Sequence, residues 1–397
     1  MPLLLKRLIF LLLFQILIYS FITEWSIAIL DNVSINFYLQ FIVFIFLFLP
    51  LLILTFYRVK IIKYEFKINN VLPFLILYIL LPVIHFSILI KYEIFNRRIG
   101  TETIALVYGD MNGFDKFLMR IYDFSQFVFV IICFFTLKSV KSFKYRTFFK
   151  IVFYFNFIYI VVFALFNSRA SLVVLFLLLF LIDGLFNYIT KRGKKIILIL
   201  GLLFFLIASS IRYIPLILIS DIDVKDILKN EFLYRANCSK FFNEVYDATN
   251  NKGLLYGETI TTPFLSIRAI FGSETAKEKI RNAETGSKQY ILSNFLQKDN
   301  KDDCSCAVVD SYVNFGFIGI IILTLLYFFW LFIIYKIIHF NTIKTYQLSL
   351  IIFITSSIML YEIDGFSLLF SFVKFVPVLI IYYILNPVLL KRVVIEK

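Results

Sequence analysis

Long hydrophobic runs alternate with short polar segments along this chain. Most runs are close to the roughly 20 residues that a helix needs to cross the hydrocarbon core of a bilayer. Their residues are continuously apolar and do not alternate with polar ones, which favours helices over barrel strands. The pattern therefore predicts an all-α fold, a polytopic integral membrane helix bundle with about ten transmembrane helices. The runs cover about residues 8–30, 35–57, 71–90, 121–137, 148–166, 172–189, 196–219, 312–335, 346–361 and 367–390.

Composition agrees with this pattern. Hydrophobic residues make up 61% of the 397 residues and charged residues only 17%, whereas soluble globular chains are about half apolar and about a quarter charged. The first apolar run follows Lys6 and Arg7, exceeds the length of a signal-peptide core and lacks a small-residue cleavage site. We therefore expect it to be retained as the first span.

The 40 basic residues exceed the 26 acidic ones, and their positions indicate orientation in a membrane rather than binding to nucleic acid. If both termini are cytoplasmic, the cytoplasmic segments hold 20 Lys and Arg residues, and the short outer segments, with Lys374 of the last span, hold seven. Cytoplasmic loops of membrane proteins carry such an excess of basic residues. The sequence therefore predicts both termini in the cytoplasm.

The predicted organisation has three parts. Residues 1–219 form transmembrane helices 1–7, residues 220–311 form one large outer loop, and residues 312–397 form transmembrane helices 8–10. Within the loop, residues 221–250 have apolar positions at roughly helical spacing, so we expect an amphipathic helix on the membrane surface or against the bundle. Loops of this length are uncommon unless they are functional.

The four cysteines divide into two groups. Cys133 lies inside the fourth predicted span and is expected to be a small packing residue. Cys238, Cys304 and Cys306 lie in the outer loop, where an oxidising compartment would permit a disulfide from Cys238 to either of the other two. The pattern is a poor zinc signature, and no metal ligand set is predicted.

Motifs of soluble enzymes are absent from the sequence, including phosphate-binding glycine loops and the His-Glu-x-x-His zinc motif. His85 lies toward the outer end of the third span, where a packing role and a proton-transfer role both remain open. Arg169 lies in a very short outer turn, Asn167 to Ser171. It either extends to the interface as an anchor or binds an anion, and Arg212 near the outer end of the seventh span poses the same alternatives.

Three segments carry a resemblance to a known family. The turn FNSRASLVVL, the loop segment LLYGETITTPFLSIRAIFG and DSYVNFGFIG at the start of the eighth span occur in that order at the outer side of the predicted bundle. Together with the single large outer loop, they resemble the O-antigen polymerase family of bacterial cell-surface polysaccharide synthesis. One departure is that the Arg-x10-Gly spacing of some members occurs only as Arg98 to Gly109.

The resemblance implies a glycosyltransferase in the bacterial cytoplasmic (inner) membrane with its active face in the periplasm, so that the large loop is periplasmic. It would transfer a growing glycan from undecaprenyl diphosphate to a new undecaprenyl-diphosphate-linked repeat unit, making O-antigen or capsular polysaccharide. A flippase and a chain-length regulator are partners by resemblance. No cofactor and no nucleic-acid partner are expected.

Site residues follow from the same resemblance and from the chemistry of the residues. An acceptor hydroxyl needs a general base, and arginine binds phosphate oxygens bidentately. Tyrosine and asparagine side chains pack against sugars or hydrogen-bond to them. The expected catalytic residues are Asp310, Glu258 and His85, and the expected diphosphate-binding or sugar-binding residues are Arg169, Arg212, Arg268, Arg281, Tyr256, Tyr312 and Asn314.

Four other membrane functions are alternatives to a polymerase. A polysaccharide flippase usually has more spans in two similar halves and no such loop. An acyltransferase would need a histidine on the cytoplasmic side, and His339 there lies in the segment HFNTIK without an arginine-containing companion. An oligosaccharyltransferase-like enzyme needs a large first outer loop, which here is only residues 31–34. O-antigen ligase shares the donor lipid and outer arginines, so it remains the main alternative.

Overall fold

The structure is a computed structural model, and its described part is mostly helical, as the sequence predicts. The residues that it describes are 1–31, 37–59, 62–94, 111–167, 169–220, 238–259, 268, 273–275, 291–297, 307–359 and 367–393.

A helix overlaps each of the ten apolar runs. The α-helices before the outer loop are α1 Leu3–Leu17, α2 Thr23–Asp31, α3 Phe37–Val43, α4 Leu49–Thr55, α5 Leu72–Lys91, α6 Gly113–Ser139, α7 Arg146–Asn167, α8 Arg169–Phe186 and α9 Lys191–Ser220. In and after the loop they are α10 Cys238–Lys252, α11 Ala307–Ile338, α12 Thr345–Ile358 and α13 Ser367–Leu385.

Length and composition identify membrane-spanning candidates among these helices. In the described residues, five are long and apolar enough to cross a membrane: Leu3–Ser26, Leu72–Lys91, Gly113–Ser139, Arg146–Phe163 and Ala307–Ile338. Shorter apolar helices follow in four further runs, Gln40–Thr55, Leu172–Phe186, Thr345–Ile358 and Lys374–Leu385. The protein is thus a helical membrane protein in its general class, and ten crossings remain a prediction.

The first two apolar runs each contain one π-helical turn, Ile18–Ile22 and Phe44–Phe48. A π-helical turn widens the helix by one residue and leaves its backbone less regularly bonded. The hydroxyl of Thr324 in α11 donates to the carbonyl of Phe46 at 2.7 Å. A side chain from a neighbouring helix therefore supplies a partner where the second run departs from α-helical geometry.

Close packing holds α1 against α8. Gly184 lies so near α1 that a Cβ at this position would come within 2.7 Å of the Leu4 backbone nitrogen. Beside it, the fully buried Asp183 accepts from Lys194 at 2.9 Å and lies 3.4 Å from the Arg7 guanidinium. Three helices, α1, α8 and α9, are thereby joined by one buried carboxylate whose charge is compensated.

A small antiparallel sheet adds to the helical fold, and the hydropathy pattern does not predict it. Its strands are β1 Lys63–Ile68, β2 Thr342–Lys344 and β3 Val388–Val393, in the order β1-β3-β2. Lys63 faces Val393, and Thr342 faces Lys391. The last apolar run stops being helical at Leu385 because Asn386 has a φ of 32° and Pro387 follows it.

The sheet gathers segments that follow spans two, eight and ten. Buried Tyr64 of β1 donates its hydroxyl to the carbonyl of Phe340 at 3.1 Å, and burial raises the pKa of Tyr64 to about 12. The amino group of Met1 donates to the Arg58 carbonyl at 2.6 Å. These segments, all predicted to be cytoplasmic, therefore lie at one end of the bundle, while the membrane face that this end occupies stays a prediction.

Thiol labelling tests this orientation. In a background in which the four native cysteines are alanine, single cysteines replace the exposed residues Lys144 and Lys191 at the predicted cytoplasmic end, or Asn250 and Tyr256 in the outer loop. In intact cells, a membrane-impermeant maleimide should label only the outer pair, because the bilayer shields the other two. Permeabilised cells provide the control, in which all four should react. Labelling of Lys191→Cys in intact cells would contradict the predicted orientation.

Candidate functional site

Two of the segments that carry the family resemblance pack against each other. The loop residues 253–259 follow α10 directly, and the backbone N–H of Leu255 donates to the carbonyl of Val313 in α11 at 2.9 Å. A methyl of Leu254 lies 3.5 Å from where a Cβ would stand at Gly316. Segments more than fifty residues apart in the chain therefore form one local structure at the start of α11.

Asp310 is the centre of this local structure. Its carboxylate accepts from the Thr259 hydroxyl at 2.9 Å, and its backbone carbonyl accepts from the Asn314 amide at 2.7 Å. The Asn314 amide also donates to the Thr259 hydroxyl at 2.5 Å. Asp310 and Asn314 have no exposed surface, and Thr259 is 1% exposed. The arrangement therefore ties the loop to α11, and Asp310 has no direct access to a substrate in this conformation.

Helix α11 has a sharp break that makes this packing possible. Gly316 has φ 60° and ψ −143°, a conformation that is essentially restricted to glycine. Three residues later, a Cβ at Gly319 would lie 1.9 Å from the carbonyl oxygen of Ser311. The first segment of α11, with Asp310 and Asn314, therefore folds closely against the start of the long second segment. The two glycines of DSYVNFGFIG are explained by this geometry.

Tyr312 and Tyr256 occupy different environments. Tyr312 is 5% exposed and packs against Phe242 and Tyr246 of α10, with ring centroids 4.7 Å and 5.8 Å away. Its expected role in sugar binding therefore has no accessible ring face to support it here, and it serves to hold α10 on α11. Tyr256 is 79% exposed with a φ of 47°, and it remains available to a ligand.

Glu258 lies in the same turn as Tyr256 and is exposed. Its backbone N–H donates to the Leu255 carbonyl at 2.9 Å, and the next residue is the buried Thr259. Because Thr259 is held by Asp310, the position of Glu258 depends on the buried hydrogen bonds beneath it. Glu258 and Asp310, both expected to be catalytic, are thus connected through Thr259 but differ in accessibility.

His85 belongs to a separate cluster formed by α5, α6 and α7. It is 1% exposed, and its Nδ1 is 2.7 Å from the Tyr159 hydroxyl. Its Nε2 has no hydrogen-bond partner within the described structure and lies 3.6 Å from Asp123 Oδ1. The Tyr122 ring packs on the imidazole at 4.4 Å between centroids. The contacts of His85 therefore come from other helices than those of Asp310.

Of the four expected arginines, the structure describes the side chain of one. Arg268 is exposed in the outer loop. Arg169 begins α8 and Arg212 lies within α9, but both side chains lie outside the described part of the structure. Arg281 lies outside the described residues altogether, as do Cys304 and Cys306. Their expected roles remain predictions.

Several polar residues in the predicted spans make notable contacts but were not among the expected site residues. Asp123 and Tyr159 contact His85, while Arg120 and Lys374 lie within electrostatic range of each other. Glu24 accepts from the Gln40 amide at 2.8 Å between the first two runs. The sequence feature that could have identified the charged ones is their position inside an apolar run, because ionisable residues in membrane spans commonly have a function. Lys374 entered the sequence-based predictions only as one of the basic residues that indicate orientation.

No metal site is evident in the part of the chain that the structure describes: it contains no group of three or more His, Cys, Asp or Glu side chains able to hold an ion. No protein-family model, curated protein or solved structure matches this chain. Any assignment of function therefore rests on the residues and contacts of this protein itself.

The two glycines of α11 give a test of the local structure. Gly319→Ala should lower the free energy of unfolding by about 3 kcal/mol or more, because its Cβ meets a backbone oxygen and the packed segments must separate. Gly316→Ala should cost about 1–3 kcal/mol through backbone strain. The measurement is thermal unfolding of the purified protein in detergent.

Ile318→Ala is the matched control, since Ile318 lies between the two glycines and is 66% exposed. It should change the stability by no more than about 0.5 kcal/mol. A Gly319→Ala protein as stable as this control would show that the two segments of α11 do not pack as described.

Proposed function

We propose that this protein is a glycosyltransferase that polymerises undecaprenyl-diphosphate-linked oligosaccharide units on the outer face of the bacterial cytoplasmic membrane. The observation that supports the proposal best is the packing of residues 253–259 against the start of α11, because these belong to two of the three segments that carry the family resemblance. The buried residues Thr259, Asp310 and Asn314 hold the two segments together by hydrogen bonds. Tyr256 and Glu258, just before Thr259 in the chain, are exposed.

The reaction assigns different roles to the two carboxylates. The hydroxyl of the new lipid-linked unit attacks the anomeric carbon of the growing glycan, and its proton passes to a general base. The bond from that carbon to the diphosphate oxygen breaks, and undecaprenyl diphosphate leaves with the bonding electrons. Glu258 is exposed and suits the role of base. Asp310 is buried and acts through Thr259 as a positioning residue.

The diphosphate leaving group requires positive charge at the outer end of the bundle. Charge-assisted hydrogen bonds to phosphate oxygens are among the strongest in proteins, and arginine provides them in pairs. Arg268 is exposed in the outer loop, and the sequence puts Arg169 and Arg212 near outer ends of spans. Preorganised cations of this kind stabilise charge that develops as the glycosidic bond breaks.

Deletion of the protein tests the proposal at the level of products. Cells that lack it should still make lipid-linked repeat units and attach single units to the final acceptor, giving one short band on a glycolipid gel in place of a ladder. Complementation with the intact chain should restore the ladder. Absence of any attached unit would instead favour the ligase, and accumulation of units on the inner face only would favour a flippase.

Two isosteric substitutions distinguish the roles of the carboxylates. Glu258→Gln should lower polymerisation of purified lipid-linked units by about 10²-fold or more, because general base catalysis contributes about 10²- to 10⁴-fold, and its membrane abundance should stay normal. Asp310→Asn should mainly lower abundance and thermal stability, because it disturbs a buried hydrogen-bond network. Rates are compared at matched amounts of protein. Full activity of Glu258→Gln would exclude this residue as the base.

A further inference from the structure

The hydroxyl of Thr259 lies between two side chains of complementary hydrogen-bonding type. It donates to the Asp310 carboxylate at 2.9 Å and accepts from the Asn314 amide at 2.5 Å. A carboxylate accepts hydrogen bonds and an amide nitrogen donates them. The pair therefore offers one partner to the proton of a hydroxyl and one to its oxygen. Any alcohol could make the same two contacts, and here the alcohol belongs to the chain itself.

Helix α11 holds this pair of side chains without the help of Thr259. Asp310 and Asn314 are four residues apart, so they lie on the same face of the helix. The Asn314 amide also donates to the Asp310 backbone carbonyl at 2.7 Å. The pair would therefore keep its geometry if another hydroxyl took the place of the Thr259 hydroxyl.

Asn314 has a further hydrogen-bonding group beside this contact. Its Oδ1 has no hydrogen-bond partner among the described residues, and the residue has no exposed surface. A buried acceptor without a donor is unfavourable. A ligand with two neighbouring hydroxyls would place one between Asp310 and Asn314 and donate the proton of the other to Oδ1. The site therefore suits a polyol such as a sugar better than a simple alcohol.

The chain before Thr259 forms a turn at the surface. None of residues 253–258 is buried. Gly253 at the start of the turn has a φ of 86°, and a Cβ there would meet no atom within 4 Å. Tyr256 has a φ of 47°, a left-handed conformation that is strained for a residue other than glycine. The turn could therefore move away from α11 about Gly253 without opening the core, and the strain at Tyr256 would be released.

We propose that Asp310 and Asn314 form a binding site for sugar hydroxyls, which the Thr259 hydroxyl occupies until a saccharide displaces it. Residues 253–259 thereby close the site when no sugar is present. Identification of the sugar as part of a lipid-linked repeat unit rests on the proposed function, whereas the site itself rests on the contacts of Thr259, Asp310 and Asn314. The hydroxyl bound here serves recognition. The proton transfer of the proposed reaction stays with Glu258, which adjoins Thr259 and moves with it.

Hydrogen exchange, measured by mass spectrometry on the purified full-length protein in detergent, tests the displacement. The probes are the repeat-unit oligosaccharide released from its lipid and, independently of the proposed function, the methyl glycosides of glucose, galactose and N-acetylglucosamine. The Leu255 amide donates to the Val313 carbonyl in the closed form, and opening exposes it to exchange. A bound sugar should therefore accelerate exchange in residues 253–259, whereas a ligand of the closed form would slow it.

Two substitutions that weaken the closed form should tighten binding of the same sugars, measured by the rise in unfolding temperature that each sugar causes. Thr259→Val removes the competing hydroxyl and keeps the shape of the side chain. It should bind about tenfold more tightly, the factor that corresponds to one lost charge-assisted hydrogen bond, because the site is closed for less of the time. Leu254→Ala removes a side chain that lies against Gly316 and leaves the hydroxyl site intact. Its affinity should also rise, and it serves as the test if Thr259→Val does not fold.

Thr259→Ser and Thr249→Val are the matched controls. The first keeps a hydroxyl at the site. The second removes the hydroxyl of another buried threonine, which donates to the Tyr246 carbonyl within α10. Both should bind the sugars as the wild type does. If Thr259 only ties the turn to α11, the two test variants will lose stability without any gain in affinity, and that result would overturn the proposal.

The remaining outcomes separate the site from the proposed function. Slower exchange of residues 253–259 in the presence of a bound sugar would overturn the displacement. No binding of any probe to either test variant would overturn the site and leave the polymerase to be judged by the glycolipid ladder. Tighter binding by both variants, in a protein whose deletion leaves the ladder intact, would support the site and exclude the polymerase.

Discussion

Hydrocarbon offers no hydrogen-bond partner, so every polar group in a membrane bundle must be satisfied by the protein or by a ligand. This constraint accounts for the contacts that fix the helices here. The buried amide of Asn156 in α7 donates to the Tyr78 carbonyl of α5 at 2.7 Å, and Thr324 of α11 donates to the carbonyl of Phe46. Asp183 is likewise satisfied by two cations and by the backbone of Ile189. Polar contacts thus select which helices become neighbours, and apolar packing completes the fit.

The same constraint explains how much of the fold could be predicted from the sequence. A long apolar run must be helical in lipid, so the helices follow from hydropathy alone, and each of the ten runs overlaps a helix. The sheet does not follow, because its strands are three to six residues long and pair only after α11 and α13 have returned to one end. The π-helical turn Phe44–Phe48 was equally inaccessible to prediction, since the hydroxyl that bonds to its Phe46 carbonyl belongs to Thr324 of a helix far away in the sequence.

For the candidate site, the sequence identified two segments that pack together in the structure, but it could not distinguish the surroundings of their residues. By residue type alone, Asp310 could not be distinguished from Glu258, nor Tyr312 from Tyr256. Their different burial distinguishes them in the structure. The separation arises from the break at Gly316, which turns the start of α11 inward and buries Asp310 and Tyr312. The spacing of apolar and polar residues along the chain does not predict this break in α11.

Charge compensation differs between the two ends of the bundle. At the end that carries the sheet, Asp183 is fully buried yet lies within 3.4 Å of two cations. Toward the opposite end, the buried His85 has one carboxylate near it, and its Nε2 lies 3.6 Å from Asp123 Oδ1 without a hydrogen bond in the described structure. A charge whose partners are internal contributes to folding and needs no ligand, whereas an uncompensated one costs free energy until an ion or proton arrives. The end with the longer charge contact is also the end at which α10, residues 253–259 and the start of α11 assemble, and under the proposed function it is the end at which binding and chemistry would occur.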